Sequence, residues 1–261
     1  MDRKLELRAA TPDVNRGYSA KGSESLAYSL GAARPPDLFE AFNIGMDDNF
    51  WPDDLPRLRT AVVRYLDELR PLVARIESII ECALDLEPGF FAPRTDRSVD
   101  VLRLVRYERA VGEPAPVPDQ MRMGAHTDYG IFTTLLADPI AGLQIVGPDG
   151  DWIDVVPEPD AVVINIGDAL AMWTNDKWRS TLHRVVPPPD TDGPVLRRSF
   201  PFFHDGNADA VIECLPSCLS PGERPKYPPV TIGEHIANKV LAGRSLAAST
   251  SVQTASDRLP D

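Results

Sequence analysis

Cysteine and histidine are the scarce residues of this 261-residue chain, which carries three of the first and four of the second. An odd set of three cysteines excludes a scaffold held together by disulfides alone. Cys214 and Cys218 stand as half of a zinc site would, but no second pair follows at zinc-site spacing, so reduced structural thiols are expected. Basic charge is also short, 27 residues against 39 acidic ones, which leaves the chain at −12. That balance argues against nucleic acid or an anionic membrane as a partner held by bulk charge. No run of about 18 apolar residues occurs, so no membrane-spanning helix is expected. The opening stretch, Met1-Asp2-Arg3-Lys4-Leu5-Glu6, lacks the apolar core of a secretory signal, and a cytoplasmic location is the expectation.

What the chain has in excess is proline, 26 residues, about double the usual share. Proline interrupts helices and central strands, which favours short elements joined by loops over a long bundle. Residues 1–50 show turn signals such as Arg34-Pro35-Pro36-Asp37 and read as an irregular lead-in. From Leu58 onward, apolar residues recur at helical spacing through Val62, Leu66, Leu69 and Val73, and a helix is predicted to about Leu86, where Glu87-Pro88-Gly89 ends it. Pro71 lies inside that stripe and predicts a kink or two stacked helices.

After Ser98 the period changes. Short β-prone runs follow at 101–107, 121–126, 130–136, 142–146, 152–155, 161–166, 180–186 and 196–204, with a weaker one at 211–215. Many short strands separated by turn residues predict a mainly β fold with flanking helices, a sandwich or double-sheet jelly roll. The expected organisation is a lead-in and helical support region over 1–98 and a jelly-roll domain over 99–220. A C-terminal segment with a helix at Thr231–Gly243 occupies 221–244, and a polar, disordered tail 245–261.

The histidines differ in their surroundings. His126 and Asp128 stand two apart at the end of a strand-like run, where alternation turns both to one side. His183 arrives 57 residues later in another such run. Two neutral imidazoles and a carboxylate bind a divalent ion while leaving one face open, the arrangement of Fe(II) oxygenases. Fourteen residues past His183 comes Arg197-Arg198-Ser199, where alternation places Arg197 and Ser199 on one face with Pro201 and Phe203. A guanidinium beside a hydroxyl suits a carboxylate. His204 is expected to make a polar contact at a strand end, and His235 to be structural or exposed. Asp47-Asp48 and Asp53-Asp54 read as helix-start and solvent-facing acids.

The stretches Leu102–Tyr107, Gly124–Gly130, Gly142–Val146, Asn165–Asp168, Trp173–Asn175, Ser180–Val185, Arg197–Ser199 and Asp209–Glu213, in that order, resemble the isopenicillin N synthase-like group of Fe(II)- and 2-oxoglutarate-dependent oxygenases. A weaker match runs through Asn43-Ile44-Gly45 and Asn49-Phe50-Trp51-Pro52. The resemblance implies a double-stranded β-helix in which His126, Asp128 and His183 ligate iron. It implies that Arg197 and Ser199 hold the distal carboxylate of 2-oxoglutarate, that the Tyr107 hydroxyl is a further donor, and that Leu143 and Val185 pack against this cosubstrate. Met123, Leu135 and Phe203 match positions on the substrate side of the pocket. The implied reaction consumes O₂ and 2-oxoglutarate, releases succinate and CO₂, and hydroxylates, desaturates or cyclises a small organic substrate. Relatives begin with several dozen further residues, whereas the match here starts mid-domain near Gly17-Tyr18. Truncation, a different gene start and natural reduction all fit that difference, which bears on stability and specificity and not on the iron ligands. Three other readings stand beside this one: an Fe(II) oxidase of the same group that uses no 2-oxoglutarate, an inactive β-sandwich binding module, and a zinc hydrolase. Substrate identity and oligomeric state are not legible.

Overall fold

A computed structural model describes residues 2–9, 11, 15–47, 49–187 and 195–247. The chain opens with a one-turn helix α1 (Asp2–Leu5), strand β1 (Gly17–Ser19), a short 3₁₀ helix (Leu26–Leu30) and strand β2 (Glu40–Gly45). The long helix α2 (Pro56–Ala83) and the short α3 (Ala92–Thr95) follow. Strands β3 (Val101–Arg109), β4 (Met123–His126), β5 (Phe132–Ala137), β6 (Leu143–Val146), β7 (Trp152–Asp154) and β8 (Val163–Ile166) lead into helix α4 (Asp168–Trp173). Then come β9 (His183–Val185), β10 (Val195–His204), β11 (Val211–Ile212), β12 (Val230–Thr231) and helix α5 (Ile232–Ser245). Each run read as β in the sequence overlaps one of these strands. The tail expected to be disordered lies almost wholly outside the described residues.

The strands form an antiparallel six-stranded sheet, β1-β2-β3-β10-β5-β8, and an antiparallel four-stranded sheet, β4-β9-β6-β7, with β11 and β12 as a separate pair. Period-two alternation along β3 divides the interior. Leu102 and Leu104 turn to one side, where they join Ile44, Phe132 and Phe202 in a core with Val62, Leu66 and Leu69 of α2. Val105 and Tyr107 turn to the other, against Met123, Leu143 and Val185 of the smaller sheet. The functional cavity opens within this second layer.

Two expectations need correction. Residues 1–50 are not an irregular lead-in, because β1 and β2 extend the larger sheet, β2 pairing with β3 over Glu40↔Arg106 to Gly45↔Val101. Nor does Pro71 divide the helix in two: α2 runs unbroken through it. The ring lies on the exposed face, and the carbonyl of Asp67 that loses its partner belongs to an exposed residue as well, so water replaces the bond. The missing bond still costs, and Pro71→Ala is expected to stabilise the fold by ~2 kcal/mol, the propensity gain less the entropy returned to the unfolded chain. Thermal denaturation should show a rise of about 4–8 °C; an unchanged or lower midpoint would contradict this account of the helix.

Candidate active site

The two imidazoles arise on paired strands. β4 and β9 are antiparallel, and His126 stands directly opposite His183, with a register irregularity between Met123 and His126. Each ring is oriented by its own backbone: His126 Nδ1 lies 2.8 Å from the Gly124 carbonyl oxygen and His183 Nδ1 2.8 Å from that of Thr181. A carbonyl only accepts, so Nδ1 carries the proton in both rings and Nε2 presents its lone pair. Burial, followed by the neighbouring His183, lowers the His126 imidazole to about 3, which keeps it neutral and able to ligate.

Asp128 lies just past the end of β4 and not on it. It reaches the same point because its loop is pinned from behind: Asp168 N–H donates to the Asp128 carbonyl at 2.8 Å and Ala169 N–H to that of Gly130 at 3.0 Å. Gly167 crosses Gly130 so closely that a Cβ on Gly167 would fall 2.3 Å from the Gly130 oxygen. Asn165 Nδ2 donates to Asp128 Oδ2 at 2.7 Å, which leaves Oδ1 3.9 Å from His126 Nε2 and 3.7 Å from His183 Nε2. One nitrogen from each ring and one carboxylate oxygen lie within 4.8 Å of one another, and this is the group among the described residues that could hold a metal ion. Two neutral nitrogens and one anionic oxygen on one side suit Fe(II) and leave its other positions free.

Arg197 and Ser199 share the inward face of β10, opposite Tyr107 and Val105 of β3. Arg197 is 1% exposed. Its Nε donates to the Ile140 carbonyl at 3.3 Å, and the guanidinium carbon lies 5.2 Å from the Tyr107 ring centroid. Its Nη1 is buried and finds no hydrogen-bond partner among the described residues. A buried guanidinium donor aimed at nothing is costly unless an anion completes it, so the donor set fits a carboxylate ligand. The Tyr107 hydroxyl lies 3.7 Å from Met123 Sδ.

These groups line one cavity of about 290 Å³, a size for small molecules. Every side chain assigned to the site from the sequence borders it, Leu135, Leu143, Val185 and Phe203 included. The sequence did not single out Asn165, Asp205, or the cluster of Glu24, Arg103 and Arg244, which also border it. Arg103 had a signal: it stands four residues before Tyr107 on one strand and so shares its face. Glu24 and Arg244 had none.

The other two histidines are buried and structural. His204 Nδ1 lies 3.1 Å from Asp100 and Nε2 3.0 Å from Glu77 of α2, and His235 Nε2 lies 3.3 Å from Asp168. Burial opposes charge on His204, but the hydrogen bonds its ring N–H groups donate to Asp100 and Glu77 outweigh it and raise the imidazole to about 9. A folded-state value above the unfolded one, about 6.5, stabilises fully below about 6.5 and fades as pH climbs to about 9. The protein is therefore expected to lose stability between those limits, and His204→Gln to lose that component. Denaturant midpoints that fall equally in both proteins across the window would refute the assignment.

Comparison with known proteins agrees with this arrangement. A sequence model of the 2OG-Fe(II) oxygenase superfamily matches residues 99–206. The chain is similar to the 2-oxoglutarate-Fe(II) type oxidoreductase hxnY of Emericella nidulans, at 32% identity over 95% of this chain and 74% of that protein. It is also similar to the proline hydroxylase buaE of Petromyces alliaceus, at 32% identity over 83% of this chain and 71% of that one. The crystal structure of a full-length Neurospora crassa protein in complex with alpha-KG and thymine matches with a TM-score of 0.78 and 32% identity, covering 92% of this chain and 78% of that one. With its antiparallel sheets, His-Asp-His metal site and these relatives, the chain belongs to the 2OG-Fe(II) oxygenase superfamily, and it is a mainly β dioxygenase that uses Fe(II), 2-oxoglutarate and O₂.

Proposed function

We propose that the protein is a member of the isopenicillin N synthase-like group of these oxygenases, its β-strands forming a double-stranded β-helix supported on one side by α2. In this reading His126, Asp128 and His183 hold Fe(II), and Arg197 and Ser199 hold the distal carboxylate of 2-oxoglutarate with the Tyr107 hydroxyl as a further donor. Leu143 and Val185 pack against the cosubstrate, and Met123, Leu135 and Phe203 face the substrate. The observation that carries the reading is the buried Nη1 of Arg197, which has no hydrogen-bond partner among the described residues and belongs to a side chain lining the same cavity as the three proposed metal ligands.

When bound, the metal and cosubstrate supply an O₂-driven oxidation of the substrate, with succinate and CO₂ as co-products. The chain's own residues orient and exclude. The Gly124 and Thr181 carbonyls fix the two imidazoles, and Asn165 holds one oxygen of Asp128 so that the other points to the metal position. Arg197 sets the direction of the cosubstrate, and the apolar walls keep water from the reacting groups. Which C–H those walls present decides among hydroxylation, desaturation and cyclisation.

The test is an anaerobic titration of Fe(II)-loaded protein with 2-oxoglutarate, followed by admission of O₂. A new visible charge-transfer absorption and then succinate are expected. Protein that takes up iron but gives neither would defeat the proposal. Asp128→Ala is expected to lose tight Fe(II) binding while keeping its fold, read by metal analysis after gel filtration and by circular dichroism; a variant that retains stoichiometric iron would contradict the ligand assignment.

A further inference from the structure

We infer that the substrate carries a positively charged nitrogen, an ammonium or guanidinium group, and that Asp205 receives it beside the metal position. This inference rests on the oxygenase reading above and names the substrate class of that same site. Seven acidic side chains are buried among the described residues, and six of them have a hydrogen-bond partner from the chain. Arg103 donates to Glu24, the Leu26 and Gly124 N–H groups to Asp37, and the Gly89 and Phe91 N–H groups to Glu81. Asp100 meets His204, Asp168 meets His235, and Asn165 donates to Asp128. The Asp205 carboxyl is the exception: only its main-chain N–H is engaged, by Asp100 Oδ1 at 2.8 Å. Asp205 is 5% exposed, neither of its carboxyl oxygens is fully enclosed, and the side chain borders the cavity. The acceptor positions that the chain leaves open therefore face the ligand volume.

The place of this acid is set by β10. Phe203 of β10 pairs with Thr133 of β5, and Thr133 with Asn165 of β8, the residue that holds Asp128. Asp205 comes two residues after Phe203 and Arg197 six residues before it, about 7 Å and about 20 Å away at the rise of a strand. The acid also packs against the loop that carries Asp128, since a Cβ on Gly130 would stand 2.2 Å from Asp205 Oδ1. The cosubstrate carboxylate on Arg197 and a substrate cation on Asp205 thus approach the metal position from opposite directions along β10.

The cations that act on Asp205 from further off, His204 and Arg16, are committed elsewhere. His204 is shared by Asp100 and Glu77, and Arg16 donates to the Asn15 carbonyl and lies 3.8 Å from Asp47. Burial, then Asp100, raise the Asp205 carboxyl well above the usual range, as expected of a desolvated carboxylate that lacks a counter-ion. A cation with N–H donors offsets that cost by charge and hydrogen bond together. A hydroxyl supplies the hydrogen bond alone, and a second carboxylate meets repulsion.

The test uses the full chain loaded with Mn(II) and saturated with 2-oxoglutarate, titrated calorimetrically without O₂. The probes are aliphatic and arylalkyl primary amines and guanidines, with alcohols and carboxylic acids of the same skeletons. The nitrogen cations are expected to bind at least about tenfold tighter than their matched alcohols, the weight of one charge-assisted contact. Asp205→Asn should erase that preference, weakening cation binding by at least about tenfold while alcohol and 2-oxoglutarate affinities stay within about threefold. It should also leave the thermal midpoint of the metal-free protein unchanged or higher, because no group of the chain loses a partner; an acid kept for structure would lower it. Alcohols or acids that bind as tightly as the cations, or wild type that binds no cation, would overturn the inference. So would an Asp205→Asn protein that keeps the preference, melts lower or does not fold, and each of these results leaves the oxygenase reading intact. Failure of 2-oxoglutarate itself to bind the Mn(II) protein would instead bring down the oxygenase reading.

Discussion

Replacing Arg197 with methionine is expected to raise the Kd for 2-oxoglutarate by about 10²–10³-fold, the cost of removing one partner from a buried, hydrogen-bonded charge pair. Methionine keeps most of the volume, so the effect isolates the guanidinium. Arg197 is buried against Tyr107, with Nε engaged by the Ile140 carbonyl and Nη1 without a hydrogen-bond partner among the described residues, which is why an anionic ligand is proposed there. Arg197→Lys should recover only part of the affinity, because an ammonium lacks the planar fork that meets both carboxylate oxygens. Calorimetry on the Mn(II)-loaded proteins gives both numbers. A change below about tenfold for the methionine variant, with metal affinity preserved, would remove Arg197 from the cosubstrate site.

A single methyl group at Gly167 is expected to cost about 2–4 kcal/mol of stability, as overpacking against backbone does, and to weaken metal binding as well. The new Cβ would stand 2.3 Å from the Gly130 carbonyl oxygen, 2.9 Å from its carbon and 3.3 Å from the Asp128 oxygen. All three are main-chain atoms, so no side chain can swing aside. The backbone at Gly167 is extended, with φ −97°, and glycine is required there by space and not by conformation. Relief of the clash must move the loop that carries Asp128, and this is why stability and metal affinity should fall together. Gly150→Ala is the control: at φ 90° it suffers backbone strain but meets no atom within 4 Å, so it should cost about 1 kcal/mol and leave metal affinity alone. Equal metal affinity in Gly167→Ala and wild type would show that the loop is not held from behind.

The parts of the fold that were legible share one property: their pattern is local. The β-runs after Ser98 are short, β-prone and set off by glycine, proline and aspartate, and each overlaps a strand. β1 and β2 were missed for the same reason in reverse. Gly17–Ser19 is three residues long, and Glu40–Gly45 has burial at Ala41, Asn43, Ile44 and Gly45 with no clean alternation. α4 was missed because all six of its residues are buried, so it has no polar face to produce a helical period. The two-helix alternative at Pro71 fails because the penalty of proline depends on which side of the helix faces water, and the carbonyl it orphans sits on that side.

The amino-acid order alone determined which residues are proposed to hold the metal and which guanidinium is proposed to meet the cosubstrate. Arg197-x-Ser199 needs only the two-residue repeat of extended chain to share a face, whereas Asp128, past the end of β4, reaches the point His126 faces through a loop pinned by the Asp168 and Ala169 N–H groups. Tertiary structure decided what those residues rest on and what else shares their cavity. Arg103 meets Glu24 across 79 residues of chain, and Arg244 reaches the same carboxylate from the last helix. Contacts of that kind follow from how the sheets and α5 close around one volume. A distance set by closure leaves no period in the sequence to read.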